Sequence, residues 1–446
     1  MLAADEPQLA RDCPIQDGDV RLDTDRYTSP RVMSQEFERL WMRVWQPACL
    51  VDDLRQAGSW REYRVGTKSF VVVRGQDGVI RAFRNSCLHR GLLLCEGQGR
   101  SNSLRCPYHG WAWRLDGTLS HVQDREFFNP LDDSAYALPE VGCATWAGFV
   151  LINPSPEDSL SLKEYLAPLP EHLNSYELEE YVPLGINVQA PVACNWKTWQ
   201  DAFVETYHLP FLHSQGLLFS NELGTRFSLL GEHSLMVTPF AEASGRVRTV
   251  TQRQVLEAYL GQLPVTSRKL MGAESLDVDE LLARHGSGWS DGDEPTARDV
   301  IASMLRGVTE ATGFDTSPFG DAQVTDVWQY LMFPNLLLAC HPGHAFITWV
   351  TPDPVDPNRC TVRVVNLRWT RPEERDAVRE PLRVLAEDEL SGAELARLGR
   401  AVEQDVVNVR RQQLGLRLGG LTHQTLSRHE TRIVHLHKTI DAYLAR

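Results

Sequence analysis

Four residues in the first third of the chain have the types and spacing that could hold an iron–sulfur cluster. Cys87 and His89 form a Cys-x-His pair, and after a gap of sixteen residues Cys106 and His109 form a Cys-x-x-His pair. Thiolates are soft donors that hold sulfide-bridged iron, whereas two imidazoles on the second iron leave it less negatively charged and raise its reduction potential. The spacing therefore predicts a [2Fe–2S] centre with two cysteines on one iron and two histidines on the other, the Rieske type.

The alternative for these four residues is a structural zinc site. Such sites usually begin with Cys-x-x-Cys and end with His-x-x-x-His, so that like ligands are paired, and the pattern here differs. Gly91 and Gly110 suit loops that turn tightly around a cluster, and Pro107 would stiffen one of these loops. Cys95 lies outside the pattern and is predicted to be a buried thiol.

A second group of residues, near the middle of the chain, could hold a single metal ion. Asp201, Glu205 and His208 are spaced by four and by three, so one helix would place them on the same face. Pro210 would end or kink that helix, which leaves His213 free to approach the same metal from the following turn. The alternative is a polar helix face with two unrelated histidines.

A carboxylate farther along the chain could complete this second site. Ferrous iron that activates dioxygen favours two histidines and one carboxylate, with open positions left over. Ser391 and Glu394 form a capping-box pattern at the start of residues 391–416, and the helix that follows would place Asp405 on an otherwise apolar face. A charge there is costly unless it is paired or bound to a metal, so Asp405 is predicted as a ligand. The alternative is a buried salt bridge to an arginine: Arg397, Arg400, Arg410 or Arg411.

The elements that must position these residues follow from the spacing of apolar side chains. Residues 33–48 have helical spacing, and the short β-branched and aromatic runs after them predict a small antiparallel β domain that continues to about residue 153. Its strands are predicted at Trp60–Val65, Ser69–Arg74 and Val79–Phe83, with Asp77-Gly78 as a hairpin turn.

The rest of the chain mixes strands with helices. The Pro-rich segment 153–170 is the predicted linker, and the acidic, Gly-rich stretch 286–296 is predicted to be a surface excursion. Core strands of a second sheet are predicted within residues 325–341, 344–352 and 360–369.

Composition narrows the class of protein. The chain has 446 residues, of which 42% are hydrophobic and 23% charged, as in ordinary globular proteins with about two or three domains. Its net charge of −14 repels nucleic acid phosphates and anionic lipids and argues against both as partners. Nine scattered cysteines fit a reducing compartment, and the sequence has neither a signal-peptide pattern nor an apolar run of membrane-spanning length. We therefore expect a globular, cytoplasmic protein.

Taken together, the motifs resemble the catalytic (alpha) subunits of Rieske non-haem iron oxygenases of the aromatic-ring-hydroxylating type. Subunits of this family carry Cys-x-His-Arg-Gly and Cys-x-x-His-Gly-Trp, as this chain does at residues 87–91 and 106–111. They also carry Asn-Trp-Lys, found here at residues 195–197, followed by an acid three residues before a histidine, a second histidine, and a late aspartate on a long helix.

The resemblance implies an α+β fold, with a small antiparallel β Rieske domain and a larger catalytic domain whose central antiparallel sheet is flanked by helices. The predicted domains are an N-terminal helical segment over residues 1–45 that packs on the catalytic domain, a Rieske 2Fe–2S domain over 46–155, and a mononuclear iron domain over 170–446.

The resemblance also implies roles for single residues. Glu205 and Asp201 would belong to the catalytic machinery, with Glu205 bonding His208 and reaching His109 of a neighbouring subunit. Many family members have aspartate in the place of Glu205, and asparagine is frequent in the place of Asp201, so the substrate class of a known member does not transfer directly. The ligands of the 2Fe–2S cluster would be Cys87, His89, Cys106 and His109, and those of the mononuclear Fe(II) would be His208, His213 and Asp405.

In a protein of this family, a ferredoxin, a flavin reductase or both would deliver electrons from NAD(P)H. The subunits would form a homotrimer, with or without a small β subunit. The product would be a cis-diol, or a hydroxylated or dealkylated compound.

The predicted substrate is aromatic or polycyclic, as in the catabolism of aromatic hydrocarbons, because apolar and aromatic side chains would line the pocket. The alternative is a quaternary ammonium compound such as carnitine or a betaine, because Glu205 is similar to the acid of the carnitine-oxidising branch and aromatic rings can enclose a methylated cation. Outside the enzymes, the alternative is a binding protein in which cysteine and histidine hold a structural metal. The candidate pocket residues are Phe203, Val204, Leu209, Phe211, Leu217, Leu218, Tyr330 and Phe333.

Overall fold

The structure, a computed structural model, describes residues 20–263, 278–285, 296–387 and 389–446. The chain divides into two compact units. The predicted surface excursion over 286–296 lies, apart from Thr296, outside the described residues, as does the beginning of the predicted N-terminal segment. The larger unit contains described residues of 20–29, 168–351 and 358–441, and the smaller unit contains 30–167, 352–357 and 442–446.

The strands of the described residues form four sheets. In chain order the strands are β1 (Val20–Asp23), β2 (Gln46–Leu50), β3 (Ser59–Val65), β4 (Lys68–Arg74), β5 (Ile80–Arg84), β6 (Gln98–Arg100), β7 (Leu104–Arg105), β8 (Ala112–Trp113), β9 (Leu119–His121), β10 (Glu140–Trp146), β11 (Phe149–Asn153), β12 (Tyr181–Val192), β13 (Arg226–Leu230), β14 (His233–Thr238), β15 (Val327–Met332), β16 (Leu336–His341), β17 (His344–Pro352), β18 (Cys360–Trp369), β19 (Arg383–Val384) and β20 (His423–Leu426).

The α-helices of the described residues are mostly short. In chain order they are α1 (Asp25–Thr28), α2 (Pro30–Glu36), α3 (Leu162–Leu166), α4 (Leu169–Leu173), α5 (Trp196–Phe203), α6 (Leu209–Leu212), α7 (Gln252–Gln262), α8 (Val278–His285), α9 (Ala297–Ala311), α10 (Asp321–Thr325), α11 (Arg375–Val378), α12 (Gly392–Arg397), α13 (Arg400–Arg417) and α14 (Thr431–Leu444). None of the described helices is long and apolar enough to cross a lipid bilayer.

The smaller unit is built on an antiparallel sheet with the strand order β2-β11-β10-β5-β4-β3-β6, accompanied by the three-stranded sheet β7-β8-β9. The strands predicted in this region are confirmed to within one residue as β3, β4 and β5, and Asp77-Gly78 lies in the turn between the last two. Four consecutive residues of β4, Phe70–Val73, are buried, because this strand lies in the middle of the sheet.

The helical segment that begins at Pro30 belongs to this smaller unit. The sequence prediction placed residues 1–45 on the catalytic domain. The structure groups the described residues 20–29 with the larger unit and residues 30–45 with the β strands of the smaller one. Three large apolar side chains fix this segment, because Leu40, Trp41 and Val44 are fully buried. The boundary between the units falls at Ala167 and Pro168, within the predicted linker, although α3 and α4 make part of that linker helical.

The larger unit contains an eight-stranded sheet with the order β13-β14-β15-β16-β17-β18-β12-β19. The pairings from β13 to β17 and between β18 and β12 are antiparallel, whereas at one edge the short strand β19 runs parallel to β12. The predicted strands at residues 344–352 and 360–369 are confirmed as β17 and β18. Residues 325–341 form two strands, and the break includes Pro334, which has no N–H to donate to a strand ladder.

Candidate metal centres

The four residues of the first group lie on two loops of the smaller unit that have the same backbone hydrogen bonds. In each loop the cysteine carbonyl accepts from the glycine four residues later, Gly91 for Cys87 and Gly110 for Cys106. In each, the cysteine N–H donates to a carbonyl five residues later. Both glycines have positive φ, +80° and +71°, a conformation that other residues adopt only with strain. Two matching turns therefore present two Cys-His pairs.

The cysteines are inside the protein and the histidines are near its surface. Cys87 and Cys106 are 3% and 2% exposed, and they belong to the hydrophobic core formed with Trp111 and Trp113. His89 and His109 are half-buried, with ring centroids 4.8 Å apart. This arrangement shields the two thiols and leaves the imidazoles within reach of solvent.

Aromatic side chains hold the histidine of the first loop. The ring of His89 stacks on Trp111, with centroids 5.0 Å apart and planes 5° from parallel. Burial and the charge of His109 lower the pKa of His89, which favours the neutral ring that can bind iron. The sequence marked Trp111 as part of a motif but gave no sign of this stacking, because the spacing of residues does not define ring orientation.

The donor set fits a two-iron cluster better than a single zinc ion. Zinc would bring all four ligand atoms together around one point. The four Cys and His side chains do not form such a compact group. In the described part of the chain, a group of three or more side chains with ligand atoms within 4.8 Å of one another occurs elsewhere. Cys95 is 9% exposed, and burial raises its pKa to about 12, which confirms the prediction of a buried thiol.

The compact group of ligand atoms consists of His208, His213 and Asp405, in the larger unit. Asp405 Oδ1 lies 3.0 Å from His213 Nε2 and 3.8 Å from His208 Nε2. The two imidazole rings are nearly perpendicular, with centroids 5.0 Å apart. Two imidazole nitrogens and one carboxylate oxygen thus converge on one point, as a ferrous ion with open positions requires.

The route by which the chain reaches this arrangement differs from the predicted single helix. Helix α5 ends at Phe203, and His208 precedes a separate short helix, α6. Pro210 lies in the first turn of α6 instead of ending a helix, because that turn needs no N–H at this position. Glu205 lies between the helices, where its Oε2 accepts from the backbone N–H groups of Tyr207 and His208.

Asp201 therefore does not share a face with the histidines. Its Oδ2 accepts from the hydroxyl of Tyr27 at 2.6 Å and lies 3.4 Å from His437 Nε2 on α14. The same hydroxyl is 3.0 Å from His437 Nε2. The structure thus places Asp201 in a buried hydrogen-bonded triad, and no sequence pattern pointed to Tyr27 or His437, which are distant along the chain.

Asp405 lies on α13, but the predicted continuous helix is interrupted. Helix α12 ends at Arg397, Gly399 has a φ of +92°, and α13 begins at Arg400. Ser391 precedes α12 without a side-chain capping bond. Within α13, Asp405 is buried between Val402 and Val409, as predicted. The ion pairs of Asp405 within the described part of the chain are to the two histidines, and none is to an arginine.

Each histidine of the site has its Nδ1 bonded, which directs Nε2 towards Asp405. Glu205 Oε1 lies 2.5 Å from His208 Nδ1, and Gln404 Oε1 lies 2.9 Å from His213 Nδ1. Burial lowers the pKa of His208, but the hydrogen bond and charge of Glu205, with the charge of Asp405, outweigh it and raise the pKa overall. Gln404 was missed in the sequence, where its position beside Asp405 was the sole signal.

The predicted pocket residues fall into three groups. Phe211 is 93% exposed, so it does not line an interior pocket of this chain, and Leu218 is also exposed. Tyr330 is on the face of the sheet opposite to α14: its neighbour Gln329 accepts a hydrogen bond from Arg432 of α14, whereas the ring of Tyr330 contacts His172 on the other side. The others are buried or half-buried and remain candidates: Phe203, Val204, Leu209, Leu217 and Phe333.

A unit with two Cys-His loops and a unit with two histidines and a carboxylate together define a protein with two kinds of iron centre. The chain belongs to the family of ring-hydroxylating alpha subunits: residues 175–446 match its catalytic domain, and residues 44–129 match the Rieske [2Fe-2S] domain. These domains bind a mononuclear iron and a 2Fe–2S cluster, respectively. Members of this family, monooxygenases and dioxygenases, are oxidoreductases.

Curated relatives match part of the chain. Choline monooxygenase from Spinacia oleracea is 29% identical over 191 residues, which are 42% of this chain and 44% of the relative. The carnitine monooxygenase oxygenase subunit from Escherichia coli (strain K12) is 33% identical over 184 residues, which are 41% and 49%. The aligned region thus spans less than half of each curated relative.

Solved structures match nearly the whole chain at low identity. The quaternary ammonium Rieske monooxygenase CntA in complex with L-carnitine has a TM-score of 0.63 at 17% identity and covers 95% of both chains. Naphthalene 1,2-dioxygenase from Rhodococcus sp. has a TM-score of 0.62 at 18% identity and covers 96% of this chain and 95% of its own. The predicted α+β fold, with a Rieske domain and a catalytic domain, is confirmed by these similarities.

Proposed function

We propose that this chain is the catalytic subunit of a Rieske oxygenase that uses dioxygen and reductase-supplied electrons to hydroxylate a small organic molecule. The observation that carries the proposal is the convergence of His208, His213 and Asp405, whose ligand atoms lie within 4.8 Å of one another. Two imidazoles and one carboxylate leave part of an iron coordination sphere open for dioxygen and a neighbouring substrate.

The four residues Cys87, His89, Cys106 and His109 are proposed to hold the Rieske cluster. Two buried thiols and two half-buried imidazoles on matching turns support this assignment. When bound, the cluster supplies single electrons and the ferrous iron supplies dioxygen reduction beside the substrate. The histidine side is the exposed side, so electrons would enter and leave there.

Glu205 is proposed to orient His208 and to connect it with His109 of a neighbouring subunit in a homotrimer. The short contact between Glu205 and His208 Nδ1 supports the first part. The second part rests on the resemblance to the CntA structure, which was reported to give insights into inter-subunit electron transfer. Asp201, bonded to Tyr27, is proposed to hold α5 in position rather than to contact the reacting atoms.

For the substrate class, we propose a quaternary ammonium compound. The curated relatives described above oxidise choline and carnitine, as their names state. Glu205 in the bridging place favours the same class. The exposure of Phe211 and the packing of the buried Tyr330 ring against His172 also take two rings out of the predicted aromatic pocket. An aromatic or polycyclic substrate is the second candidate, favoured by the similarity to naphthalene 1,2-dioxygenase.

The test is a turnover assay with the reconstituted protein, NADH and a surrogate ferredoxin and flavin reductase. Choline, L-carnitine and glycine betaine are compared with naphthalene and indole, and products are identified by mass with ¹⁸O-labelled dioxygen. We expect substrate-dependent oxygen uptake with the methylated cations. Oxidation of the aromatic compounds alone would reverse the assignment of substrate class, and oxygen uptake that no compound stimulates, with no labelled product, would contradict an oxygenase.

A further inference from the structure

The two candidate iron-binding histidines are held by chemically different partners. His208 contacts the carboxylate of Glu205, whereas His213 Nδ1 lies 2.9 Å from the amide oxygen of Gln404. Gln404 is in turn held by Gln215, whose Nε2 donates to the same amide oxygen at 2.7 Å. The second histidine thus depends on a neutral chain of two amides.

This chain of amides determines which nitrogen of His213 carries the proton. An amide oxygen is only an acceptor, so His213 must donate from Nδ1, and its Nε2 keeps the lone pair that a metal needs. The bond from Gln215 fixes the orientation of the Gln404 amide, because a rotated amide would place two NH₂ groups against each other. The half-buried positions of both glutamines limit competition from water.

We propose that Gln404, supported by Gln215, is the positioning residue that retains iron at the site through His213. The proposal rests on the proposed function, in that His208, His213 and Asp405 are taken to be the iron ligands. The two histidines then have different roles: the bond that His208 donates to Glu205 serves electron transfer, and the bond that His213 donates to Gln404 serves metal retention. Partners of ligand histidines typically contribute a factor of about 10–100 in metal affinity.

The experiment measures Fe(II) affinity of the cluster-containing protein under anaerobic conditions, by competition with a ferrous chelator. We expect Gln404→Leu to weaken Fe(II) binding about 10–100-fold and Gln215→Leu to weaken it less. Gln404→Glu, which keeps an oxygen acceptor of the same length, should restore affinity to near the wild-type value. Gln412→Leu is the matched control, because Gln412 lies on the same helix, two turns away from Gln404, and is also half-buried.

A purely structural role for Gln404 would give a different pattern. Loss of packing would lower the melting temperature of the iron-free Gln404→Leu protein, whereas loss of positioning alone leaves that melting temperature unchanged. The electron paramagnetic resonance signal of the ferrous site with nitric oxide provides a second readout. We expect the rhombicity of this signal to change in Gln404→Leu and to be unchanged in Gln412→Leu.

The outcomes separate this inference from the proposed function. If wild-type protein and His213→Ala bind Fe(II) equally, the iron site itself is wrong and both proposals fail. If His213→Ala loses iron but Gln404→Leu binds it as well as Gln412→Leu does, the metal site stands and the role of Gln404 is refuted.

Discussion

At the residue scale, two buried carboxylates contact His208 from opposite sides. Glu205 lies against Nδ1, and Asp405 lies on the side of Nε2. The first position suits a partner that orients a ligand, and the second suits a ligand. Chemically identical groups therefore differ in role because each meets a different nitrogen of the same ring.

Replacement of Glu205 by glutamine should separate these roles. We expect Glu205→Gln to retain both the cluster and the mononuclear iron, because neither ligand set includes its side chain. Oxidation of the reduced cluster in a single turnover should nevertheless slow by at least about tenfold, because the amide lacks the charge that pairs with imidazoles. Stopped-flow absorbance of the cluster is the measurement.

Asp405→Asn is the reciprocal change. It should lose most of its mononuclear iron while the visible spectrum of the cluster is unchanged, and iron analysis beside the spectrum checks this. Loss of iron from the Glu205 variant with full occupancy in the Asp405 variant would show that ligand and bridge had been exchanged.

The four proposed cluster ligands give a further prediction at the residue scale. Cys87→Ser and His109→Ala should abolish the visible absorption of the cluster and leave the larger unit folded, because the two units have separate cores. The wild-type reduction potential should lie in the Rieske range of roughly −150 to +300 mV and not near the roughly −400 mV of plant-type ferredoxins. A potential near the lower value would mean that the histidines are not ligands.

At the scale of elements, the buried triad of Tyr27, Asp201 and His437 joins three helices, α1, α5 and α14. Burial and the charge of Asp201 raise the pKa of Tyr27 well above its usual value, so its hydroxyl stays protonated and donates to Asp201. The triad therefore fixes the helix that leads into the His208 segment.

Removal of the Tyr27 hydroxyl should leave the buried carboxylate of Asp201 without its closest donor. We expect Tyr27→Phe to lower the free energy of unfolding by about 1–3 kcal/mol, measured by chemical denaturation. Tyr259→Phe is the control, because the hydroxyl of Tyr259 has no hydrogen bond to the described residues. Equal effects of both changes would refute a special role for the triad.

At the scale of the whole molecule, the proposed bridge requires electrons to pass from one subunit to the next. Two inactive variants should then complement each other: Cys87→Ser has iron without a cluster, and Asp405→Asn has a cluster without iron. When co-expressed, they should regain about a quarter of wild-type activity, because random mixing in a cyclic oligomer gives that share of productive neighbours. Mixing of separately purified, non-exchanging oligomers is the control. Persistent inactivity after co-expression would indicate electron transfer within one subunit.

Much of the local structure was predictable, because the sequence contains the physical causes. The β-branched runs around residues 60–83 define strands by alternation and by their turn, and they were placed within one residue of β3–β5. The Cys-His loops could be recognised from the sequence because cysteine, histidine and glycine at this spacing seldom serve a purpose other than holding a cluster. The prediction of one helix carrying Asp201, Glu205 and His208 was wrong. The Glu205 carboxylate accepts a hydrogen bond from the backbone N–H of Tyr207, and this bond competes with continuation of the helix.

The sequence alone determined which residue types were available as ligands and the class of chemistry they could support. It also determined the family, because Cys-x-His and Cys-x-x-His with a later histidine pair and carboxylate are rare in combination. Only the tertiary structure decided which nitrogen of each histidine faces Asp405, that Gln404 holds His213, and that Asp201 turns towards Tyr27. These choices depend on contacts between residues more than 170 positions apart, and side-chain direction at such a distance is set by packing rather than by local spacing.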